Sequence, residues 1–223
     1  MATFHFLKLM SPFLAVRLFN ISSSSSQLVF YAASLKISTS TSPIMDHQES
    51  TTSSDSAPSN NNNNNRLSDR ILPHLLRLYG SCATSQDFEI YAPNASFEDP
   101  LMRAHGVKQI KSAFYTLPKI FKESKIVEYT VEENMVSPGK GEILIDNKQY
   151  YKFMGKHIDM ISLIKLYVDD GKIVCHEDWW DKKPISNRET VKVPLLGRAA
   201  EMSRRGSMLL THLIMGFGKD PRV

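Results

Sequence analysis

The chain has 223 residues, room for one domain of ordinary size with tails. Its formal charge of +4 is unevenly placed: all 23 acidic residues lie at or after Asp46, and the first 45 residues carry only Lys8, Arg17 and Lys36. The remainder is about neutral and lacks the clustered excess base of a nucleic-acid-binding surface, while two distant cysteines, Cys82 and Cys175, exclude a disulfide framework or a cysteine-based zinc site and fit a reducing compartment.

Residues 1–44 are acid-free, rich in Ser and Thr and sparsely basic, the composition of a transit peptide, and the expected location is the chloroplast. The alternative is translation from Met45, whose following DHQESTTSSDSAPS suits a cytoplasmic protein or one peripheral at a membrane. Arg17 interrupts the apolar run PFLAV, against a secretory signal, and no run reaches the roughly 18–20 apolar residues that span a bilayer. Residues 45–65 end in six consecutive Asn and hold almost nothing apolar, so they are expected to be a disordered linker.

Leu67, Ile71, Leu75 and Leu78 recur at helical spacing, widened by Leu72, Leu76 and Tyr79, and Pro73 leaves the helix start open. A second short helix is expected over about Gln86–Tyr91, then a strand Ser96–Asp99. Gly106 opens a third helix with Ile110, Phe114, Leu117 and Phe121 on one face and Lys108, Lys111, Lys119 and Lys122 on another. From Lys125 the pattern changes to strands: Ile126–Met135, the turn Ser137-Pro138-Gly139, Glu142–Met154, His157–Val168, the turn Asp169-Asp170-Gly171, and Lys172–Asp181. Three helices followed by long strands predict an α+β fold, the helices packed on one face of a curved antiparallel sheet.

The segment YAPNASFEDP, the HGVKQI helix start, the long hairpins and the strand GKIVCHEDWWDKKP resemble the nuclear transport factor 2-like superfamily, and more narrowly plant SnoaL-like proteins of unassigned chemistry. The resemblance covers roughly residues 70–183 and implies a cone-shaped domain over 66–184. It also implies that pocket carboxylates, Tyr or His move protons on a buried small molecule in the superfamily's enzymes, and that Asp99 stands at the pocket rim. Asp99 is thus the first candidate base, with Tyr91 or His105 assisting. The competing reading is that Glu98 and Asp99 only cap the turn before Pro100. Tyr151, Phe153, His176 and Trp179 are candidates for lining a substrate pocket, against the commoner fate of strand aromatics as core.

By alternation His176, Asp178 and Trp180 share one face and Glu177 and Trp179 the other; one reading of the first set is a His/carboxylate dyad that orients a proton shuttle beside an indole, and the favoured one is an edge or outward-facing polar ladder with one Trp filling the core. His157 and Asp159, with Lys165, are expected towards solvent. No metal motif or phosphate loop occurs, and no metal or cofactor is expected.

Residues 185–223 form a C-terminal extension. Leu195–Phe217 reads as an amphipathic helix, basic at Arg198, Arg204 and Arg205, with Met202, Leu209, Leu213 and Phe217 in register. Such a helix either packs across the domain or its dimer mate, or docks on a membrane surface or a membrane-bound enzyme. Arg204-Arg205-Gly206-Ser207 also matches a basophilic kinase site.

Three functions follow. The first is a non-catalytic or accessory module binding a small apolar ligand or a protein partner. The second is a cofactor-independent isomerase, dehydratase or cyclase; the third is a membrane-surface scaffold working through residues 195–217. A homodimer through the sheet is a further expectation. Catalysis requires at least two titratable groups facing one enclosed apolar cavity. The sequence pattern aims no second group at Asp99, which weighs toward binding.

Overall fold

The computed structural model describes residues 66–192 and 194–221, so the transit-peptide and linker readings of residues 1–65 lie outside the described residues. The elements run α1 (Leu67–Tyr79), a 3₁₀ helix (Ser85–Ile90), β1 (Tyr91–Glu98), β2 (Arg103–His105), α2 (Val107–Ile120), β3 (Glu123–Ser137), β4 (Lys140–Phe153), β5 (Lys156–Asp169), β6 (Lys172–Trp180) and α3 (Pro194–Ile214). The class is α+β, as the element order predicts.

Helix α1 buries Leu67, Ile71, Leu75, Leu78 and Tyr79 along one stripe. Its start comes from a distant strand: the Glu133 carboxylate of β3 accepts the backbone N–H groups of Leu67 (3.3 Å) and Ser68 (2.9 Å), two of the orphan donors at a helix N-terminus. Pro73 lies inside the helix, not in its first turn. It is tolerated because it and Asp69, whose carbonyl loses a partner, both face solvent.

The second helix is a six-residue 3₁₀ helix, and the strand after it begins at Tyr91 instead of Ser96. Pro93 falls in the break between the Tyr91 and Ser96 pairings of β1 with β6, where no ladder hydrogen bond is required of it. Gly106 then sits at φ +77°, donates its N–H to the Ala95 carbonyl at 2.8 Å, and turns the chain into α2.

The six strands are ordered β2-β1-β6-β5-β4-β3. The sheet is mixed, not wholly antiparallel: β1 runs parallel to β6. Those two strands are joined through a helix and four strands, so no hairpin dictates their relative direction. The turns at Met154-Gly155 and Asp170-Gly171 have positive φ at both residues, the hairpin geometry that matches strand twist. Alternation along β5 is as expected, with Ile158, Met160, Ile164, Leu166 and Val168 buried and His157 and Asp159 exposed. On the inner face Ile143, Ile145, Ile164, Leu166 and Ile173 meet Leu75 and Leu78 of α1 and Ile110 and Phe114 of α2.

Strand β6 contains a register shift: Val168 pairs with Ile173, whereas Tyr167 pairs with Cys175. The extra residue changes parity, so Ile173 and then His176 and Asp178 all face inward, and Val174 faces out.

Helix α3 packs on α2 and β2, but with the opposite polarity to the amphipathic reading. Arg204, Met208 and Thr211 face the domain, and Met202, Leu209, Leu213 and Phe217 are exposed. Arg204 is buried and pairs with Glu98 at 2.8 Å while donating to the Ser186 carbonyl; Arg205 donates to Gln109 (2.5 Å), and His212 Nδ1 meets the Ser112 hydroxyl (2.7 Å). Both arginines of the kinase-like motif are therefore engaged in tertiary contacts.

If polar anchors hold α3, Arg204→Ala should lower stability by about 1–3 kcal/mol in urea unfolding and speed amide exchange across residues 194–214. Leu209→Ala, on the exposed face, should change stability by no more than about 0.5 kcal/mol. The reverse ranking would mean that apolar contacts dock the helix.

Candidate functional site

An enclosed space lies between the inner face of the sheet and the C-terminal half of α2. It is lined by apolar groups of α2 (Ala113, Phe114, Leu117, Ile120), by Phe97, Met102, Phe121, Ile158, Met160 and Trp180, and by Tyr79, Tyr151, Asp99 and Asp178. Its volume is about 80 Å³, so an occupant of more than a few heavy atoms requires side chains at the mouth to shift.

Asp178 is buried near the C-terminal end of β6 and takes hydrogen bonds from four side chains on four elements. Tyr79 of α1 donates to Oδ2 at 3.0 Å, Trp180 Nε1 donates to Oδ2 at 3.3 Å, Gln149 of β4 donates to Oδ2 at 3.3 Å, and Ser162 of β5 donates to Oδ1. Burial raises the pKa of Asp178, and these four donors oppose the rise.

Behind Asp178 stands His176, fully buried. Burial depresses its pKa to about 3, so the ring is neutral near pH 7. The directions of the neighbouring bonds then assign its tautomer. The Tyr79 hydroxyl gives its proton to Asp178, so its oxygen accepts from His176 Nε2–H (3.2 Å); Nδ1 is left to accept from the Tyr91 hydroxyl (2.8 Å). The result is one directed chain, Tyr91 to His176 to Tyr79 to Asp178. Rings of Tyr91, Phe97 and Phe114 pack around the imidazole at centroid distances of 6.1, 4.9 and 6.1 Å.

Asp99 follows β1 and carries both roles weighed for it. Its Oδ1 accepts the backbone N–H groups of Leu101 (2.7 Å) and Met102 (2.5 Å), closing the turn at Pro100, and the residue also lines the cavity. Both bonds end on Oδ1, so Oδ2 is the atom that can serve the cavity. Burial raises the pKa to about 7 against the pull of the two N–H groups; the Asp178 charge adds to the rise and the Arg204 guanidinium opposes it. Oδ1 is committed as a double acceptor, which puts the proton of the neutral form on Oδ2.

The other site candidates divide. Tyr151 lines the cavity, its hydroxyl donating to Gln149 Oε1 at 2.5 Å. Tyr91 and His176 are buried one layer behind the lining. Phe153 is also set back, its ring against Phe121 at the mouth. His105 is exposed on β2 and faces a surface groove with Arg103 and Arg205, so it does not meet Asp99 in the cavity. Trp179 points to the outer face, where its indole donates to Glu177 and Lys165 lies over its ring at 4.7 Å. Trp180, two residues from Asp178, occupies the place given to Trp179.

The ladder His176–Asp178–Trp180 is interior, because α1 and α2 cover that face. Sequence reasoning missed Tyr79, Gln149 and Ser162. Tyr79 ends the buried stripe of α1, and a buried tyrosine hydroxyl needs a partner, which is the one signal that pointed to it. Among the described residues, no three His, Cys, Asp or Glu side chains are placed to hold a metal ion.

No protein-family model and no curated protein matches the chain. Solved structures similar to it include an NTF2-like protein from Anabaena variabilis, at 12% identity over 56% of this chain and 93% of that one, with a TM-score of 0.46. A hexachlorocyclohexane dehydrochlorinase, type 2, is 12% identical over 51% of this chain and 82% of its own, TM-score 0.45. A candidate polyketide cyclase from Sinorhizobium meliloti is 22% identical over 51% and 98%, TM-score 0.39.

A neutral His176 makes a spectroscopic prediction. Nitrogen-15 NMR should show the Nε2–H tautomer with no titration between about pH 5 and 8. The unfolded imidazole takes up a proton below about pH 6.5 and the folded one does not. Its contribution to stability is therefore complete above that pH and is lost as pH falls toward 3. A titration near 6.5 in the folded protein would contradict the buried chain.

Proposed function

We propose that this cavity is the active site of an enzyme that moves a proton on a compact, mostly apolar substrate, in an isomerisation, dehydration or cyclisation performed by its own side chains. The supporting observation is convergence: two carboxyl groups, Asp99 and Asp178, line one enclosed and otherwise largely apolar cavity. That meets the requirement set for catalysis and shifts the balance away from simple binding.

The two carboxyl groups have different tasks. Asp178, held by four donors, is committed to positioning Tyr79 and Trp180. Asp99 keeps its proton until about pH 7 and exchanges it at Oδ2. As a carboxylate it removes a proton from carbon next to an electron-withdrawing group. As the resulting acid it returns that proton to another carbon in an isomerisation, or to a departing hydroxyl in a dehydration. In the second case water leaves and the carboxylate is restored. The apolar walls around Asp99 raise its pKa toward neutrality.

A binding module is the second reading. Its support is that the Tyr79 and Tyr151 hydroxyls already donate within the protein, to Asp178 and Gln149, which leaves Asp99 as the main polar contact for a ligand.

Asp99→Asn tests the proposal, because the amide oxygen can still accept both backbone N–H bonds. Deuterium uptake from D₂O into a panel of small cyclic ketones and enones, followed by NMR, should rise with pH through an apparent pKa near 7. In the variant it should fall by about 10²–10⁴-fold. Thermal-shift binding of the same compounds, with equal exchange by both proteins, would leave the binding reading in place.

A further inference from the structure

Helix α3 presents an apolar ridge to solvent along its whole length. Leu195, Leu196, Met202, Leu209, Leu213 and Phe217 are all exposed, with Leu195 at 74% and Met202 at 75%. The helix cannot roll to bury this ridge, because its inner face is fixed by the Arg204–Glu98 ion pair, the Arg205–Gln109 bond, the His212–Ser112 bond and fully buried Met208. Gly206 and Ser203 lie along the same side, and no atom lies within 4 Å of where a Cβ on Gly206 would stand.

Charge decides between occupants of this ridge. Cations stand at both ends of it, and among the described residues they enter no ion pair. Lys192 and Arg198 are exposed at the N-terminal end. At the other end Lys119 and Lys219 line one groove with Met215, and the backbone of Gly218 packs on exposed Lys108. The acids of α3 and the segment just after it are already neutralised, Glu201 by Arg188 and Asp220 by Lys111. A second copy of the chain seated on the ridge would bring these unpaired cations against their own kind. An anionic surface would meet them with opposite charge while taking up the apolar side chains. The 21-residue helix is about 30 Å long, and no helix among the described residues is long and apolar enough to cross a membrane, so this is a helix lying in the surface plane.

We propose that the outer face of α3 docks the folded domain on an anionic lipid bilayer, Leu195, Met202, Leu209, Leu213 and Phe217 entering the interface and the flanking lysines and Arg198 meeting lipid phosphates. The docking leaves the cavity and its carboxyl groups untouched, since no residue of α3 lines it.

The test is flotation of the full-length chain with phosphatidylcholine vesicles containing phosphatidylserine, beside pure phosphatidylcholine vesicles. The Leu209→Asp/Leu213→Asp double variant is the comparison, because both positions are exposed and an unchanged melting temperature verifies its fold. The N-terminal segment is identical in the two proteins, so a difference between them reports α3. The wild-type chain should float with the anionic vesicles, less so as salt is raised, and the variant should bind about tenfold more weakly or less. Equal flotation of both proteins overturns the proposal, as does no flotation of either or equal binding to neutral vesicles. A native mass spectrum showing a wild-type dimer that the variant loses, without vesicle binding, assigns the ridge to a second copy and overturns it as well.

Discussion

A carboxylate in the middle of a sheet is the constraint around which this domain is arranged. An isolated ionised Asp178 at that depth would cost several kcal/mol, and the cost is met only if its oxygens are fully bonded. The four donors come from α1, β4, β5 and β6, so satisfying one side chain fixes the end of a helix and the register of three strands together. The same demand extends backwards: Tyr79, having given its proton to Asp178, takes one from His176, which takes one from Tyr91. Partial satisfaction would be worse than an apolar core, so the chain is kept whole or not at all.

The contrast between Asp178 and Asp99 follows from this arrangement. Both are desolvated, but Asp178 is given side-chain donors on both oxygens, whereas Asp99 receives two backbone N–H groups on one oxygen only. The charge on the first makes ionisation of the second harder. One site thereby holds a fixed carboxylate and a labile one, the separation by environment that acid–base chemistry uses. The turn at Pro100 and the lability of Asp99 have one origin, because the hydrogen bonds that close the turn also direct the proton to the free oxygen.

The outside of the domain is organised by a different balance. Arg204, buried between α3 and β1, contributes both to docking the helix and to the field at Asp99. Fixing α3 through its inner face leaves the apolar residues of its outer face without protein cover. The two surfaces of the helix have thus exchanged the roles that an amphipathic pattern ordinarily assigns them.

The local code was sufficient for much of the fold. The stripe Leu67–Leu78, the strict alternation of β5 and the Gly-containing turns each depend on neighbours a few residues away, and the α+β class follows from them. Asp99 as the first carboxyl to consider also came from the sequence, through its place at the end of FEDP. Only the tertiary structure decided which groups join it. The bulge at Val174 reverses the parity of β6, Tyr79 meets Asp178 across 99 positions, and a parallel β1 sets Phe97 beside His176. The polarity of α3 was likewise out of reach, since a helix pattern records which residues share a face and not which face finds a partner. Periodicity reports a residue's own side; the loss of water, the donor supplied by a distant strand and the charge next door arise only when separate elements close around the same carboxyl group.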